Sequence, residues 1–307
     1  MWRLKVLIQF CLAHLPFGLT INHLLQRMNA CRRGGEAGKV LSRIPELCEA
    51  LVKINKFVPI RNSTVVEVGT GWTPLPTLML RMGGAKRIVT FDHLRHLRLD
   101  LTRTAVHLIR KDAAALAQCF GVSAGEIEAH CDALLDQSDN LQKFLAVGAI
   151  TYVAPGDAAA TGLPAKSVDI YYSHAVLEHV SPETLRAIIR EARRVLRPTG
   201  VFYSLIGLHD HYNGFDRSIS KVNFLKYPEW LWAFFVKNSI SYHNRLREVD
   251  FIDAIREEGG EIAALHSVTD PEDLRRIRQM KLAEQFKRYT PEELAVTSTE
   301  IIIKFPS

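Results

Sequence analysis

The chain has 307 residues, 47% of them hydrophobic, with Lys+Arg 39 against Asp+Glu 33 and a formal net charge of +6. That length and apolar content can bury one large core, so one enlarged domain with insertions is expected rather than two independent ones, and the mild basic excess reads as a solvated surface rather than a nucleic-acid stripe. The five cysteines, Cys11, Cys31, Cys48, Cys119 and Cys131, are odd in number and lack metal-ligand spacing, which excludes a disulfide scaffold or cysteine metal site and points to a reduced, cytoplasmic setting.

Residues 1–25 are strongly apolar, but Arg3, Lys5, Gln9, His14 and Pro16 interrupt them, leaving no continuous span of about 20 apolar residues to cross a bilayer. No small-residue cleavage site follows, as a secretory signal requires. An amphipathic helix remains. Packing over the core or as a lid is the leading reading, with dimerisation or peripheral contact with a membrane surface as the alternatives. Cys31-Arg32-Arg33-Gly34-Gly35-Glu36-Ala37-Gly38-Lys39 is a glycine- and charge-rich break and reads as a linker. Ile44 to Phe57 then has a helical pattern leading through Pro59 to a strand. An N-terminal helical segment over 1–58 therefore precedes the main domain, 59–307.

Thr64-Val65-Val66-Glu67-Val68-Gly69-Thr70-Gly71-Trp72-Thr73-Pro74 is an apolar run that breaks into a glycine-bearing turn. Val65, Val66 and Val68 suit a buried parallel strand, and Gly69 and Gly71 let the backbone take positive φ and approach a ligand closely. About 20 residues on, Arg87-Ile88-Val89-Thr90-Phe91-Asp92 reads as a second strand ending in an acid, where a nucleoside would present its ribose hydroxyls. The third glycine of a dinucleotide fingerprint is missing near Trp72 to Pro74, which disfavours pyrophosphate cradling. A nicotinamide-dependent reductase is thereby the lesser alternative, and a tight turn without any ligand is the plain structural one. From about 93 to 147 the pattern is mostly helical and longer than one crossover helix needs. Its basic opening, His93, Arg95, His96, Arg98 and Arg103, reads as a solvated face, with an acidic substrate as the other reading.

Ala149 to Val153 forms a third strand followed by Gly156-Asp157-Ala158, and Ser167 to Val180 runs from a fourth strand into a loop and helix. Glu191 to Gly200 closes a helix and turns at Pro198-Thr199-Gly200 into the strand Val201 to Ile206. In order and spacing, residues 60–206 resemble the class I S-adenosylmethionine-dependent methyltransferases. The resemblance implies a Rossmann-like α/β fold, a seven-stranded mostly parallel sheet with helices on both faces. It also implies that Glu67, Gly69, Thr70 and Gly71 surround the methionine part of S-adenosyl-L-methionine. Asp92 would hold the ribose, Asp157 with Ala158 would meet the adenine, and the backbone at Ser173 and His174 would line the pocket beside the sulfonium. The chain departs from the family pattern at Thr73-Pro74 and at Thr199. Proline costs little at a first helical position, because its missing donor would be unpaired anyway.

A second insertion, about 209–260, leaves the fifth strand at the carboxyl edge of the sheet, where open α/β folds place ligands, and reads as a substrate lid. It begins His209-Asp210-His211-Tyr212-Asn213-Gly214-Phe215-Asp216. A nearby imidazole or carboxylate assists methyl transfer to oxygen or nitrogen by removing the acceptor's proton, so His209, Asp210 and His211 are the catalytic candidates. One His-Asp-His run supplies too little geometry for a ligand set, and no metal site is assigned. The same run also reads as a hydrogen-bonded loop that only shapes the pocket. His174 and His179 rank second as bases. The aromatics of Asn223 to Phe235 read as a packing face rather than a base-stacking one. Arg245 and Arg247 read equally as a clamp for a substrate carboxylate or phosphate and as a surface turn.

Glu261 to Val268 is a sixth strand, Pro271 to Tyr289 a charged helix and Thr297 to Phe305 a final strand, which the resemblance makes antiparallel between the fifth and sixth. The motifs of nucleic-acid amino-methylating, cytosine-C5 and protein-arginine enzymes are missing after the fourth strand. By resemblance, the expected function is methyl transfer to an oxygen or nitrogen of a small-molecule, lipid or sugar acceptor, without nucleic acid, by a chain that can also form a homo-oligomer. A non-catalytic S-adenosylmethionine-binding or scaffold protein is the alternative.

Overall fold

The structure, a computed structural model, describes residues 1–22, 24, 25 and 35–306. Seven strands form one sheet: β1 (Thr64–Val68), β2 (Arg87–Phe91), β3 (Ile150–Val153), β4 (Val168–His174), β5 (Leu196–Gly207), β6 (Glu261–Thr269) and β7 (Val296–Lys304). Their order is β3-β2-β1-β4-β5-β7-β6, with the last strand between β5 and β6, where the resemblance puts it. The sheet is mostly parallel and surrounded by helices, the expected Rossmann-like class. β1 pairs in parallel with β2 and β4, Val65 lying opposite Ile88 and Ile170, and β2 pairs in parallel with β3. Val65, Val66, Ile88, Val89 and Ile170 are all buried, which is why these strands are continuous apolar runs rather than alternating ones.

By internal contacts the chain divides into two compact units. The first takes in Ala30–His174, Ala187–Tyr203 and Ile302–Ser307. It holds α2 (Gly35–Asn55), α3 (Leu75–Met82), α4 (Leu99–Lys111), α5 (Ala113–Phe120), α6 (Ala124–Asp136) and α7 (Leu141–Val147), and the carboxyl-terminal part of α8 (Pro182–Val195). The stretch 93–147 thus folds into the four helices α4 to α7. Ser123 starts α6 with a capping box, accepting from Glu126 N while the Glu126 carboxylate reaches back to Ser123 N. The Arg110 guanidinium ties α4 to α6 through Asp132 at 2.6 Å.

Two expectations in this unit are corrected. Of the expected linker, Cys31 to Gly34 lie outside the described residues, and 35–39 are the first turns of α2 rather than a break, so that helix starts well before Ile44. The expected turn at Pro198-Thr199-Gly200 is extended backbone within β5. Proline's fixed φ is compatible with an extended strand. The entry is further held by Asp169 of β4, whose carboxylate takes Arg197 Nη1 at 2.5 Å and Thr64 N at 2.8 Å.

The second unit takes in Met1–Asn29, Ala175–Arg186 and Ser204–Ile301. It holds α1 (Trp2–Ala13), α9 (Glu229–Phe235), α10 (Glu248–Glu257), α11 (Pro271–Gln279) and α12 (Pro291–Ala295). Its core joins Val6, Tyr212, Val222, Phe224, Leu225, Trp232, Ile277, Phe286 and Leu294. The inner side of α1 belongs to this core: Gln9 is buried and its Oε1 accepts from the Tyr212 hydroxyl at 3.1 Å, and the Trp2 ring lies 5.6 Å from that of Tyr227. Leu4, Leu7 and Ile8 are exposed on the same helix. Among the described residues no helix is long and apolar enough to cross a membrane. The helix expected over Pro271 to Tyr289 stops at Gln279. Ala283 N donates to Leu225 O at 2.9 Å instead of continuing the helix, and Phe286 enters the core from a short 3-10 turn. Thr290 and Glu293 then cap α12 reciprocally.

Candidate functional site

In the first unit, β1 delivers its chain into a turn with Gly69 at φ 86° and Gly71 at φ 66°, conformations that L side chains rarely adopt. Gly69 N donates to Phe91 O and Gly71 N to Asp92 Oδ2, both at 2.8 Å, so the turn is stapled to the end of β2. A Cβ added at Gly71 would meet nothing within 4 Å: the backbone angle requires the glycine, and the space beside it is open.

Glu67, 1% exposed on β1, directs Oε2 to the hydroxyls of Thr77 and Thr90, the latter at 2.7 Å. Thr90 also meets Thr70 Oγ1 at 2.6 Å. Oε1 of Glu67 is buried without a hydrogen-bond partner. Burial pushes this carboxyl up to about 7, against the opposing pull of Thr77, Thr90 and Arg43. At Asp92, burial also acts upward, but hydrogen bonds from His93, Gly71 N and Leu94 N outweigh it and hold the carboxyl below its ordinary range. Asp92 is therefore ionised at neutral pH. Its carbonyl accepts from Gly156 N at 2.8 Å, which brings the third-strand loop to the end of β2. There Asp157 is exposed and its Oδ1 accepts from Ala159 N at 2.8 Å, while the carbonyl of buried Ala158 takes the Tyr171 hydroxyl at 2.6 Å.

Ser173 lies opposite Val68 in the β1–β4 pairing, and its hydroxyl is buried without a hydrogen-bond partner. His174 ends β4, and burial followed by the charge of Arg43 pushes it down to about 4. Arg43 Nη2 donates to His174 Nδ1 at 3.2 Å, so the neutral ring carries its proton on Nε2, 3.7 Å from Glu46 Oε1. The structure thus gathers Glu67, Gly69, Thr70, Gly71 and Asp92 around one turn, joins Asp157 and Ala158 to it through Gly156, and sets Ser173 on the neighbouring strand. Arg43 and Thr77 were not singled out in the sequence. They come from helices α2 and α3, and no local motif marks them.

In the second unit, His209 follows β5 and its Nδ1 donates to Thr297 O at 3.4 Å. Asp210 is buried and caps the 3-10 turn His211–Gly214, accepting from Tyr212 N at 2.9 Å and from Asn223 Nδ2 at 3.2 Å. Burial pushes Asp210 up to about 6, against those bonds. The His211 ring centroid lies 5.0 Å from His209, 4.9 Å from His179 and 4.5 Å from His243. Desolvation lowers all four imidazoles, His211 to about 3, so the cluster is neutral at neutral pH. A cavity of about 160 Å³ is lined by His179, His211, His243, Lys5, Gln9 and Tyr212 among others. Two of the sequence candidates, His209 and His211, therefore share a histidine cluster, whereas Asp210 holds the loop. No sequence signal marks His243, since the arginines dominate the stretch around it.

Those arginines are corrected. Arg247 is fully buried and donates to the carbonyls of Leu208 at 2.8 Å, Leu294 at 3.2 Å and Val296. Arg245 donates to Tyr227 O at 2.7 Å and to Glu229 Oε2 at 2.5 Å. Both brace the unit from within, so they form neither a surface turn nor a substrate clamp.

Residues 67–204 match the family model of a methyltransferase domain. Among solved structures, the chain is similar to a SAM-dependent methyltransferase from Methanosarcina mazei, at 14% identity over 83% of this chain and 97% of that one, TM-score 0.48. It is also similar to geranyl diphosphate C-methyltransferase from Streptomyces coelicolor, at 12% identity over 87% of this chain and 82% of that one, TM-score 0.46. The curated proteins contain no match. The residues present fit the methyl donor: the unused buried oxygen of Glu67 suits the ammonium of a methionine moiety, and ionised Asp92 suits the hydroxyls of a ribose. Since the matched segment runs from Glu67 past His174 and so contains this whole constellation, residues 67–204 are a methyltransferase domain, and the chain is an enzyme that takes S-adenosylmethionine as its cofactor.

Proposed function

We propose that the enzyme transfers the methyl group of S-adenosylmethionine to an oxygen or nitrogen of a small-molecule, lipid or sugar acceptor. Glu67, Gly69, Thr70 and Gly71 hold the methionine part, Asp92 the ribose, and Asp157 with Ala158 the adenine, while Ser173 and His174 line the pocket at the end of β4. The observation that carries the acceptor half is the tautomer of His209. Its Nδ1 donates to Thr297 O, and burial keeps the ring neutral, which leaves a lone pair on Nε2. S-adenosylmethionine, when bound, would supply the methyl group, and His209 Nε2 would take the proton that the acceptor loses. Asp210 acts by fixing the loop on which that imidazole sits.

The test is to incubate the enzyme with S-adenosylmethionine and fractionated extract and to search by mass spectrometry for a gain of one methyl group. A methylated product identifies the acceptor. Tight cofactor binding with no product from any fraction would favour the scaffold reading. A cytoplasmic setting is supported by the free thiols of Cys11, Cys48, Cys119 and Cys131. Peripheral contact with an anionic lipid surface is supported by exposed Leu4, Leu7, Ile8, Trp230 and Phe234, beside Arg3 and Lys5 in a helix with no acidic residue. Co-sedimentation with anionic vesicles tests that contact. A stable dimer that ignores vesicles would assign the same residues to a second copy.

A further inference from the structure

Glu178, His179 and His211 place a carboxylate oxygen and two imidazole nitrogens within 4.8 Å of one another. Glu178 is 1% exposed: Oε1 accepts from Gly207 N at 3.1 Å, whereas Oε2 is buried with no hydrogen-bond partner. An orphaned carboxylate oxygen in the interior is costly unless something positive meets it. His179 Nδ1 donates to the carbonyl of Tyr242 at 2.8 Å, which fixes the ring and leaves Nε2 with its lone pair. This is the outer-shell arrangement that orients metal-binding histidines. His211 makes no ring hydrogen bond among the described residues, and it stands against His179 with centroids 4.9 Å apart. The chain also makes room for the carboxylate: a Cβ added at Gly207 would come within 2.8 Å of Glu178 Oε1.

We propose that Glu178, His179 and His211 form a binding site for a divalent transition metal of the zinc, iron(II) or cobalt(II) class. Two imidazoles with one carboxylate suit these ions, whereas calcium and magnesium call for oxygen ligands throughout. Metal–ligand bonds of about 2.0–2.2 Å need the three ligand atoms to draw closer together, which side-chain rotation supplies. Two of the ligands, His179 and His211, line the 160 Å³ cavity, which Lys5 also lines. The open coordination positions would therefore take an anionic oxygen ligand, such as a carboxylate, phenolate or enolate. That this ligand is the methyl acceptor rests on the methyl-transfer reading; the metal site itself does not.

The test is a cobalt(II) titration of the metal-stripped full chain, followed by visible absorption and calorimetry. One equivalent is expected, with d–d bands distinct from those of the aqueous ion. His179→Ala and His211→Ala should each weaken binding by more than about 100-fold, beyond the usual loss from an outer-shell substitution. Glu178→Gln alone would be ambiguous, because Glu178 also holds Gly207 N, so the two histidine variants decide, with their thermal unfolding recorded alongside. No cobalt binding, full binding by both variants, or loss only in His93→Ala and His96→Ala, whose rings form with Asp92 a second group of potential ligands within 4.8 Å of one another, would each overturn the proposal. S-adenosylmethionine affinity, measured separately, keeps failure of the metal site distinct from failure of the cofactor reading.

Discussion

The glycine-turn unit and the histidine unit set the charge of their titratable groups by different means. At the glycine turn the chain surrounds its carboxylates with donors: Asp92 takes the amides of Gly71 and Leu94, and Glu67 takes the hydroxyls of Thr77 and Thr90. One acid stays charged and the other is pushed up to about 7. In the histidine unit the groups are bases crowded against one another, and desolvation together with their neighbours' charge favours the neutral rings. A backbone turn holds a charged ligand by fixed dipoles, whereas a neutral imidazole cluster is suited to receive a proton or a metal. Under the proposed function, the same chain separates recognition of the methyl donor from handling of the acceptor's chemistry.

The contrast breaks most sharply at His209. If that imidazole takes the acceptor's proton, His209→Ala lowers turnover by about 10²- to 10⁴-fold and spares cofactor affinity. Near-normal turnover with an unchanged pH profile would remove the histidine unit from the proton transfer. Next comes Arg247→Ala, which leaves the carbonyls of Leu208, Leu294 and Val296 without their buried donor. Denaturant unfolding should show a loss on the order of 3 kcal/mol, and a loss below about 0.5 kcal/mol would contradict its bracing role. Asp92→Ala should weaken S-adenosylmethionine binding by about 1–3 kcal/mol in calorimetry through the lost charged hydrogen bonds. Unchanged affinity would take the ribose contact away from it.

The smallest effect is a pH dependence. Glu67 titrates near 4.5 in an unconstrained chain and near 7 when folded, so its contribution to stability is complete below about pH 4.5 and is lost as pH rises through about 7. Glu67→Gln cannot ionise and should flatten that decline relative to the wild type. Thermal melts of both proteins across this window check it, and parallel profiles would show that Glu67 is not held protonated.

The glycine-turn unit was legible because its chemistry is contiguous: β1, its turn and Asp92 lie within one short stretch, and parallel burial writes continuous apolar runs. The interrupted helix after Gln279 was not legible, since a tertiary hydrogen bond from Ala283 to Leu225 overrides the local pattern. Nor was the straight entry into β5, which depends on Arg197 meeting Asp169. The histidine cluster was half visible. His209 and His211 announce themselves as neighbours, but His179 and His243 join them only through the fold, and the unpartnered oxygen of Glu178 has no sequence signature. Arg245 and Arg247 misled for a related reason: a charged side chain reads as surface until the carbonyls that it satisfies are known.

The central claim, that the turn from Glu67 to Gly71 with Asp92 is a site for the methyl donor, is tested most directly by calorimetric titration of cofactor-free protein with S-adenosylmethionine and its demethylated product. One site for each nucleoside, weakened by Asp92→Ala, is the predicted result. Binding of neither nucleoside, or equal binding by the wild type and Asp92→Ala, would contradict it, and titration with a nicotinamide cofactor would then test the remaining alternative.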